Sequence, residues 1–405
     1  MAITDINTYA HLTDADVEAL GAELDALRRE VEADRGDRDV RYLRRTILAH
    51  RALEVVGRVA LLGSHKRSLW LLGTGALSLS KIIENMELGH NVMHGQWDWM
   101  NDPEVHSTTW EWDMVCASPH WKHSHNYIHH KYTNVVGMDH DVGYKILRVT
   151  RDEPWEPRRL AQPLFNVLLA ATFEWGIALH DLELKEVIGG TKPKEVAIPQ
   201  IKEFVRKAAR QMGKDYLLYP ALTGPNFGHT LTANLTANLV RNLWAYVVIF
   251  CGHFPDGAEK FTEETLEGET PGQWYLRQML GTANFRAGPA MAFLSGNLCY
   301  QIEHHVFPDL PSNRYAEIGD RIRALCEKYD LPYTTGSLFT QYVQSLRTIN
   351  KLALPDRFLR DTADDAPETA SERRFAGRVP ARGLKTALAE LRRERRNRRR
   401  QKAIR

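Results

Sequence analysis

Apolar residues in this chain first recur at helical spacing and then concentrate into longer runs. Residues 13–60 read as helical: Thr13 and Asp16 form a capping-box pattern, and Leu20, Leu24 and Leu27 return to one face. The runs LEVVGRVALLG (53–63) and SLWLLGTGALSLSKIIENMELG (68–89) follow as a helical pair about the basic turn SHKR (64–67). Only the second approaches the roughly 20 residues that cross a bilayer. Lys81, Glu84 and Glu87 crowd its far end, so the helix is expected to emerge there into a polar site. Two more apolar stretches span 215–232 and 234–252, the latter ending in NLWAYVVIFCGHF. The segment 163–180 reads as interfacial, because 185–214 behind it is rich in Lys and Arg and is expected on the cytosolic side. The pattern predicts an all-α membrane protein with about four transmembrane helices in two hairpins. No internal repeat is present.

Composition narrows the chemistry. Cys116, Cys251, Cys299 and Cys326 form no CxxC pair, which disfavours a zinc ribbon, a cysteine-held Fe–S cluster and c-type haem. Isolated thiols suit a reducing compartment. The polar, acidic N-terminus does not resemble a signal peptide. The net charge of +2 conceals 14 Lys/Arg against three Asp/Glu between Glu372 and Arg405. With few aromatics beside it and no nucleic-acid-binding fold, this tail is read as cytosolic and membrane-proximal, not as a nucleic-acid site. A mean hydropathy of −0.41 is low for a multi-pass chain and keeps a soluble helical alternative open, although large cytosolic segments would also dilute the average.

The 17 histidines are clustered. His90 and His94 stand at i, i+4, the spacing that puts two imidazoles on one helical face. His125 and His129 repeat it, with His130 about 100° further round. Gln301 precedes His304 and His305 by three and four residues. Each pair alone fits hydrogen-bonded core or surface histidines; three such groups together point to metal. Seven imidazoles exceed the three or four ligands of one zinc, whereas two adjacent metals would use them, each of the adjacent pairs serving both ions. Imidazole suits Fe, Zn, Cu and Ni, so the ligand type leaves the metal open. The carboxylate di-iron bundle pattern fails on count, since only Glu87-x-x-His90 fits it.

HxxxH, HxxxHH and QxxHH in this order resemble the three histidine boxes of the integral membrane fatty acid desaturases. The text around them, IENMELGHNVMHGQWDWMNDP, HHKYTN, FCGHFPDGAEKF, GQWYLRQMLG and QIEHHVFPDLPSNR, is similar to the actinobacterial stearoyl-CoA Δ9 type. The resemblance covers most of residues 1–370, implying one desaturase domain there and a separate basic tail over 371–405. It implies a cytosolic helical cap holding two Fe2+ ions, with His90, His94, His125, His129, His130, His304 and His305 as ligands. His253, at the end of the last apolar run, is implied as the eighth. Gln301 stands where the animal and yeast acyl-CoA enzymes carry histidine and is expected to support the site or bind weakly. Asp139 and Asp141 in GMDHDVGY are candidate acceptors for ligand N–H groups, although an Asp-rich turn needs no metal.

Removing two hydrogens from an unactivated alkyl chain offers no acidic proton and no leaving group, so side chains alone do not suffice and a metal with O2 as co-substrate is needed. The chain carries no GxGxxG fingerprint, cysteine cluster or b5 haem motif, so no nicotinamide, Fe–S or haem is expected in it. A separate NAD(P)H-dependent reductase, a long-chain acyl-CoA and the lipid bilayer are the expected partners. The resemblance places the protein in the cytoplasmic membrane, with its boxes and both termini on the cytosolic side. A hydroxylase on the same scaffold and a non-enzymatic membrane metal-binding protein are the alternatives; a zinc hydrolase would want a glutamate within His90-Asn-Val-Met-His94. His106, His120, His123, His140, His180 and His229 read as structural or polar neighbours. Trp97, Trp99, Trp110 and Trp112 read equally as tunnel lining or interfacial belt.

Overall fold

The computed structural model describes residues 2–359, so the basic tail expected over 371–405 lies outside the described residues. The fold is mostly helical, with one short parallel pair of strands, Asn284–Arg286 and Thr335–Ser337, in which Asn284 faces Thr335.

Thr13 and Asp16 cap the Asp14–Ala33 helix reciprocally: the Asp16 amide donates to the Thr13 hydroxyl at 3.2 Å, and the Thr13 amide to the Asp16 carboxylate at 3.0 Å. Leu20, Leu24 and Leu27 are buried as their spacing implies, in a core shared with Pro271–Gly281, Gln301–Val306 and Tyr315–Lys328. The helical region expected over 13–60 is two helices, because the chain breaks at Asp34–Gly36 before Asp37–Leu61 begins. The expected pair about the basic turn is present as Asp37–Leu61 and Arg67–Ile82. The second helix runs directly into a π-helical turn, Ile83–His90, which delivers the first histidines. Its polar end meets partners. Lys81 Nζ lies 3.0 Å from Asp113 and 2.9 Å from Asp215, and the Asp113 amide donates to Glu84 at 2.9 Å.

Two boundaries differ from the sequence pattern. The apolar stretches at 215–232 and 234–252 do not divide near 233; the chain turns at 223–226 and a single helix runs Phe227–His253. Gly224 takes a left-handed φ of 56° and Pro225 cannot donate to a helical ladder, so this dipeptide makes the turn inside an apolar run. The interfacial segment 163–180 is likewise two helices, Gln162–Ala171 and Phe173–Asp181, meeting at Thr172. Among the described residues, one helical stretch, Gly224–His253, is long and apolar enough by itself to cross a membrane.

The far ends of the two hairpins meet. Asn226 donates to the Leu62 carbonyl at 2.7 Å, and the Trp70 indole to that of His229 at 3.0 Å. At the opposite end the helices carry His90 and His253, with His94 one turn beyond His90, toward the histidines of the second and third boxes.

Candidate metal centre

Three local devices aim the histidines. π-Helical turns at Ile83–His90 and Lys122–His129 widen the backbone spiral where the first two boxes sit. The third box occupies the short buried helix Gln301–Val306, held by Asn284, whose side-chain carbonyl accepts the Ile302 amide at 2.8 Å. His253 closes the long Phe227–His253 helix.

All eight sequence-predicted imidazoles converge. His90, His94, His125 and His304 bring ring nitrogens within 4.8 Å of one another, as do His129, His253 and His305, and also His130, His304 and His305. The rings of His94 and His304 lie 4.7 Å apart, those of His130 and His305 4.4 Å apart, and those of His253 and His305 4.9 Å apart. The His304 and His305 rings stand at 87° to each other; His304 also joins His90, His94 and His125, His305 also joins His129 and His253, and both meet at His130.

Five of the outer nitrogens meet oxygen acceptors, whereas Nδ1 of His130 and of His253 is buried without a partner among the described residues. His129 Nδ1 lies 3.0 Å from both Asp139 oxygens, and His125 Nδ1 lies 3.2 Å from Asp141. His305 Nδ1 lies 3.1 Å from the Gln278 side-chain oxygen and His90 Nδ1 3.1 Å from that of Asn91. The Tyr315 hydroxyl donates to the Phe307 carbonyl at 3.1 Å, leaving lone pairs to accept His304 Nδ1 at 3.3 Å. An N–H pinned on Nδ1 leaves Nε2 as the lone-pair nitrogen.

Those inner nitrogens are unspent. Nε2 of His94, His125, His129, His130, His304 and His305 is buried without a hydrogen-bond partner among the described residues. Six orphaned imidazole nitrogens facing one small volume would be costly in a metal-free core. The donor set therefore fits bound metal. Burial holds His94, His130, His304 and His305 well below the usual imidazole range, aided by the neighbouring rings, which keeps them in the neutral form a metal requires. His129 goes the other way. Burial opposes its proton, but the adjacent Asp139 outweighs that.

His253 differs from the rest: its Nε2 lies 3.1 Å from the Gln301 amide nitrogen, while its Nδ1 and the Gln301 oxygen have no partner. Gln301 fits there because residue 252 is glycine. A Cβ at Gly252 would stand 2.7 Å from Gln301 Cγ.

Asp139 and Asp141, the two candidate acceptors of the sequence, lie against Nδ1 of His129 and His125. Asp141 also lies 3.5 Å from His180 Nε2, tying that histidine to the centre. His120 pairs with Glu203 at 3.0 Å and His123 stacks on Tyr127, both outside the cluster. Asn91, Gln278 and Tyr315 were not singled out in the sequence, and no spacing to the boxes marks the last two. Trp121 was also missed; its ring stacks on His125 at 4.4 Å. Of the four tryptophans singled out, Trp112 alone borders the cavity below the cluster. That cavity holds about 40 Å³ and runs from His90, His125, His253 and Gln301 down to Met86, Tyr144, Phe173 and Ile249.

Comparison with known proteins gives the same direction. Residues 68–337 match the family model described as fatty acid desaturase. The chain is 59% identical, over its whole length and 98% of the relative's, to a protein of Mycobacterium tuberculosis named NADPH-dependent stearoyl-CoA 9-desaturase. It is 22% identical to the sn-1 linoleoyl-lipid 6-desaturase of Synechocystis, covering 68% of this chain and 78% of that one. An acyl-lipid (8-3)-desaturase of Physcomitrium patens is 28% identical over 56% of this chain and 48% of its own. With two thirds of its length matching the family model and a full-length relative above half identity, the chain belongs to the fatty acid desaturase family.

Proposed function

We propose that this protein is an acyl-CoA desaturase that introduces a cis double bond at Δ9 of a long saturated chain, stearoyl- or palmitoyl-CoA. It consumes O2 and two electrons from a separate NAD(P)H-dependent reductase. The reading rests on the convergence of buried imidazoles with unspent nitrogens at the head of a narrow apolar cavity. Full-length identity of 59% to proteins named for that reaction supports the substrate and the position of the double bond.

Two Fe ions would suit the donor set: His90, His94, His125 and His304 would hold one and His129, His253 and His305 the other, with His130, grouped with His304 and His305, available to either. When bound, iron with O2 supplies the oxidising power that an unactivated methylene demands. The chain's own residues do the rest. Asp139, Asp141, Asn91, Gln278 and Tyr315 fix the ring orientations; Met86, Trp112, Phe173 and Ile249 hold an alkyl chain against the cluster and exclude water. At about 40 Å³ the cavity is smaller than a long alkyl chain, so admitting one requires its lining side chains to move apart.

In this reading one desaturase domain extends over 1–370, and the two hairpins cross the cytoplasmic membrane as four spans. The cap and both termini, including the basic tail, stay on the cytosolic side. Exposed apolar side chains support the crossing: Val55, Val59 and Leu62, Leu71 and Leu72, Leu217 and Leu218, and Leu235, Leu239 and Leu243 face outward.

The test is expression in a host lacking Δ9 desaturation together with a competent reductase, followed by fatty acid profiling by mass. A new Δ9 monounsaturated acid, two hydrogens lighter than its precursor, is expected. An acid heavier by one oxygen, or no new acid while the reductase is active, would overturn the reading.

A further inference from the structure

A second cavity, of about 430 Å³, lies between the Asp37–Leu61 and Arg67–Ile82 helices and the Lys194–Gly213 helix. Its walls carry Arg58, Lys81, Lys207, Arg210 and Lys214 against Glu54, Glu84, Glu111 and Asp113, an excess of one cation. Most of these charges are spent on one another: Lys81 and Lys214 pair with Asp113, Lys207 with Glu111 and Arg58 with Glu54. Four groups are left over. Arg210 is exposed, and among the described residues its side chain enters no ion pair or hydrogen bond. Arg58 Nε, Trp110 Nε1 and Glu84 Oε2 are buried without a partner. Glu84 is only 6% exposed, and its other oxygen alone is satisfied, accepting the Asp113 amide at 2.9 Å. Polar atoms in such places are costly unless something binds them.

Three donors and one acceptor thus surround one space, and they select the ligand. A bare phosphate would meet the donors but set its charge against the Glu84 carboxylate. An ammonium-bearing head would meet Glu84 but add a cation where cations already exceed carboxylates. A phosphodiester carrying a free hydroxyl satisfies both sides: its oxygens accept from Arg58, Trp110 and Arg210, and its hydroxyl donates to Glu84. The rim points to a lipid as the source. Lys214 and Tyr219 line the cavity, and Leu217 and Leu218, between them in the chain, are exposed apolar side chains along which acyl chains can lie.

We propose that this cavity binds the head group of an anionic phospholipid bearing a free hydroxyl, of the phosphatidylglycerol type, held by Arg58, Glu84, Trp110 and Arg210. The proposal rests on the membrane placement argued above, with the lipid in the cap-side leaflet. The site adjoins the chemistry without entering it. Trp112 lines both this cavity and the one below the metal centre; Glu84 lines this one, whereas the next two residues, Asn85 and Met86, line the other. Because Glu84 stands at the start of the π-helical turn that ends in His90, an occupied site braces the segment that carries the first box.

The test uses the full-length, iron-loaded protein in mild detergent, titrated with dioctanoyl lipids and read by native mass spectrometry. The wild type is expected to retain a single dioctanoyl-phosphatidylglycerol. It should prefer that lipid several-fold over the ethanolamine lipid and over phosphatidylmethanol, which has the same phosphodiester charge and no hydroxyl. Arg210→Ala and Trp110→Phe should each weaken retention by about fivefold to tenfold, with Arg210→Lys intermediate and iron content unchanged. Equal retention of phosphatidylglycerol and phosphatidylmethanol by the wild type, or unchanged affinity in both variants, overturns the proposal. Displacement by glycerol phosphate at matched concentration would make the ligand a soluble phosphate and overturn the lipid assignment. Protein that stays monodisperse without detergent would overturn the membrane placement, and the proposal with it. A wild type that selects the lipid through these residues yet yields no Δ9 product would overturn the desaturase reading and leave this site standing.

Discussion

Gln301 is the residue whose meaning depends most on its surroundings. Its amide nitrogen sits against His253 Nε2, and its oxygen is buried without a partner, so it can present either atom to the centre by turning over. What allows the approach is the missing side chain at Gly252. Gly252→Ala is therefore expected to push Gln301 off His253 and lower iron bound per chain several-fold, as for other residues that orient metal ligands. In a Gln301→Ala background the same change should cost little more, because the clash has been removed. Additive losses in the double variant, read by metal analysis of the purified protein, would show that the two positions act separately. At this scale the convergence of seven imidazoles was legible in their clustering along the chain, and that of His253 only through the family resemblance. Gln278 and Tyr315 were not. Their contacts with His305 and His304 arise from packing of the helices Pro271–Gly281 and Tyr315–Lys328 against the third box, which no local pattern encodes.

The helices that hold the boxes are joined by a buried charge cluster. Lys81 bridges Asp113 and Asp215, Asn238 donates to Asp215 at 3.0 Å, and Arg241 pairs with Glu174 at 2.5 Å. Three separate pieces of chain thereby lock onto the helix that leads to His90. Lys81 is the nearest cation to the fully buried Asp215, whose other partners are Asn238 and, at 3.7 Å, Lys214, whereas the half-buried Asp113 keeps Lys214. Lys81→Met is therefore expected to destabilise the protein by about 3 kcal/mol. Adding Asp215→Asn should return most of that loss, because the uncompensated charge disappears. Thermal unfolding in detergent reads both, and a double variant no more stable than the single one would refute the charge argument. The sequence disclosed that Lys81, Glu84 and Glu87 end a helix in polar company, since charges gathered at one end of an apolar run must find polar partners there. It concealed the turn at 223–226, where a Gly-Pro pair interrupts hydrophobicity that is otherwise continuous. The breaks at Gly36 and Thr172 were hidden for a similar reason: the flanking residues keep helical spacing across them.

Across the whole molecule, chemistry and turns occupy opposite ends. The Phe227–His253 helix rises about 40 Å over its 27 residues, from the Gly224–Asn226 turn to His253. The other hairpin runs alongside it, its turn tied to the first by the Asn226–Leu62 hydrogen bond. Outward-facing leucines and valines band the length nearest the turns, where Thr230, Asn234 and Asn238 fold inward, while Arg51 and Arg210 are exposed nearer the histidines. An apolar band on that scale, bounded by two turns on one side and a histidine cap on the other, is what a bilayer would stabilise and water would not. Charge agrees with this orientation, because the Lys- and Arg-rich segment 185–214 enters from the cap side. The native thiols make the orientation measurable. Cys116, Cys251, Cys299 and Cys326 are all buried, so background labelling of intact cells should be low. Lys66→Cys and Pro225→Cys, at the two turns, are expected to react with a membrane-impermeant maleimide added outside. Glu18→Cys, on the exposed face of the Asp14–Ala33 helix, should react only after permeabilisation. Labelling of Glu18→Cys in intact cells would invert the topology. Protection of either turn until permeabilisation would reduce the number of crossings and detach that hairpin from the bilayer.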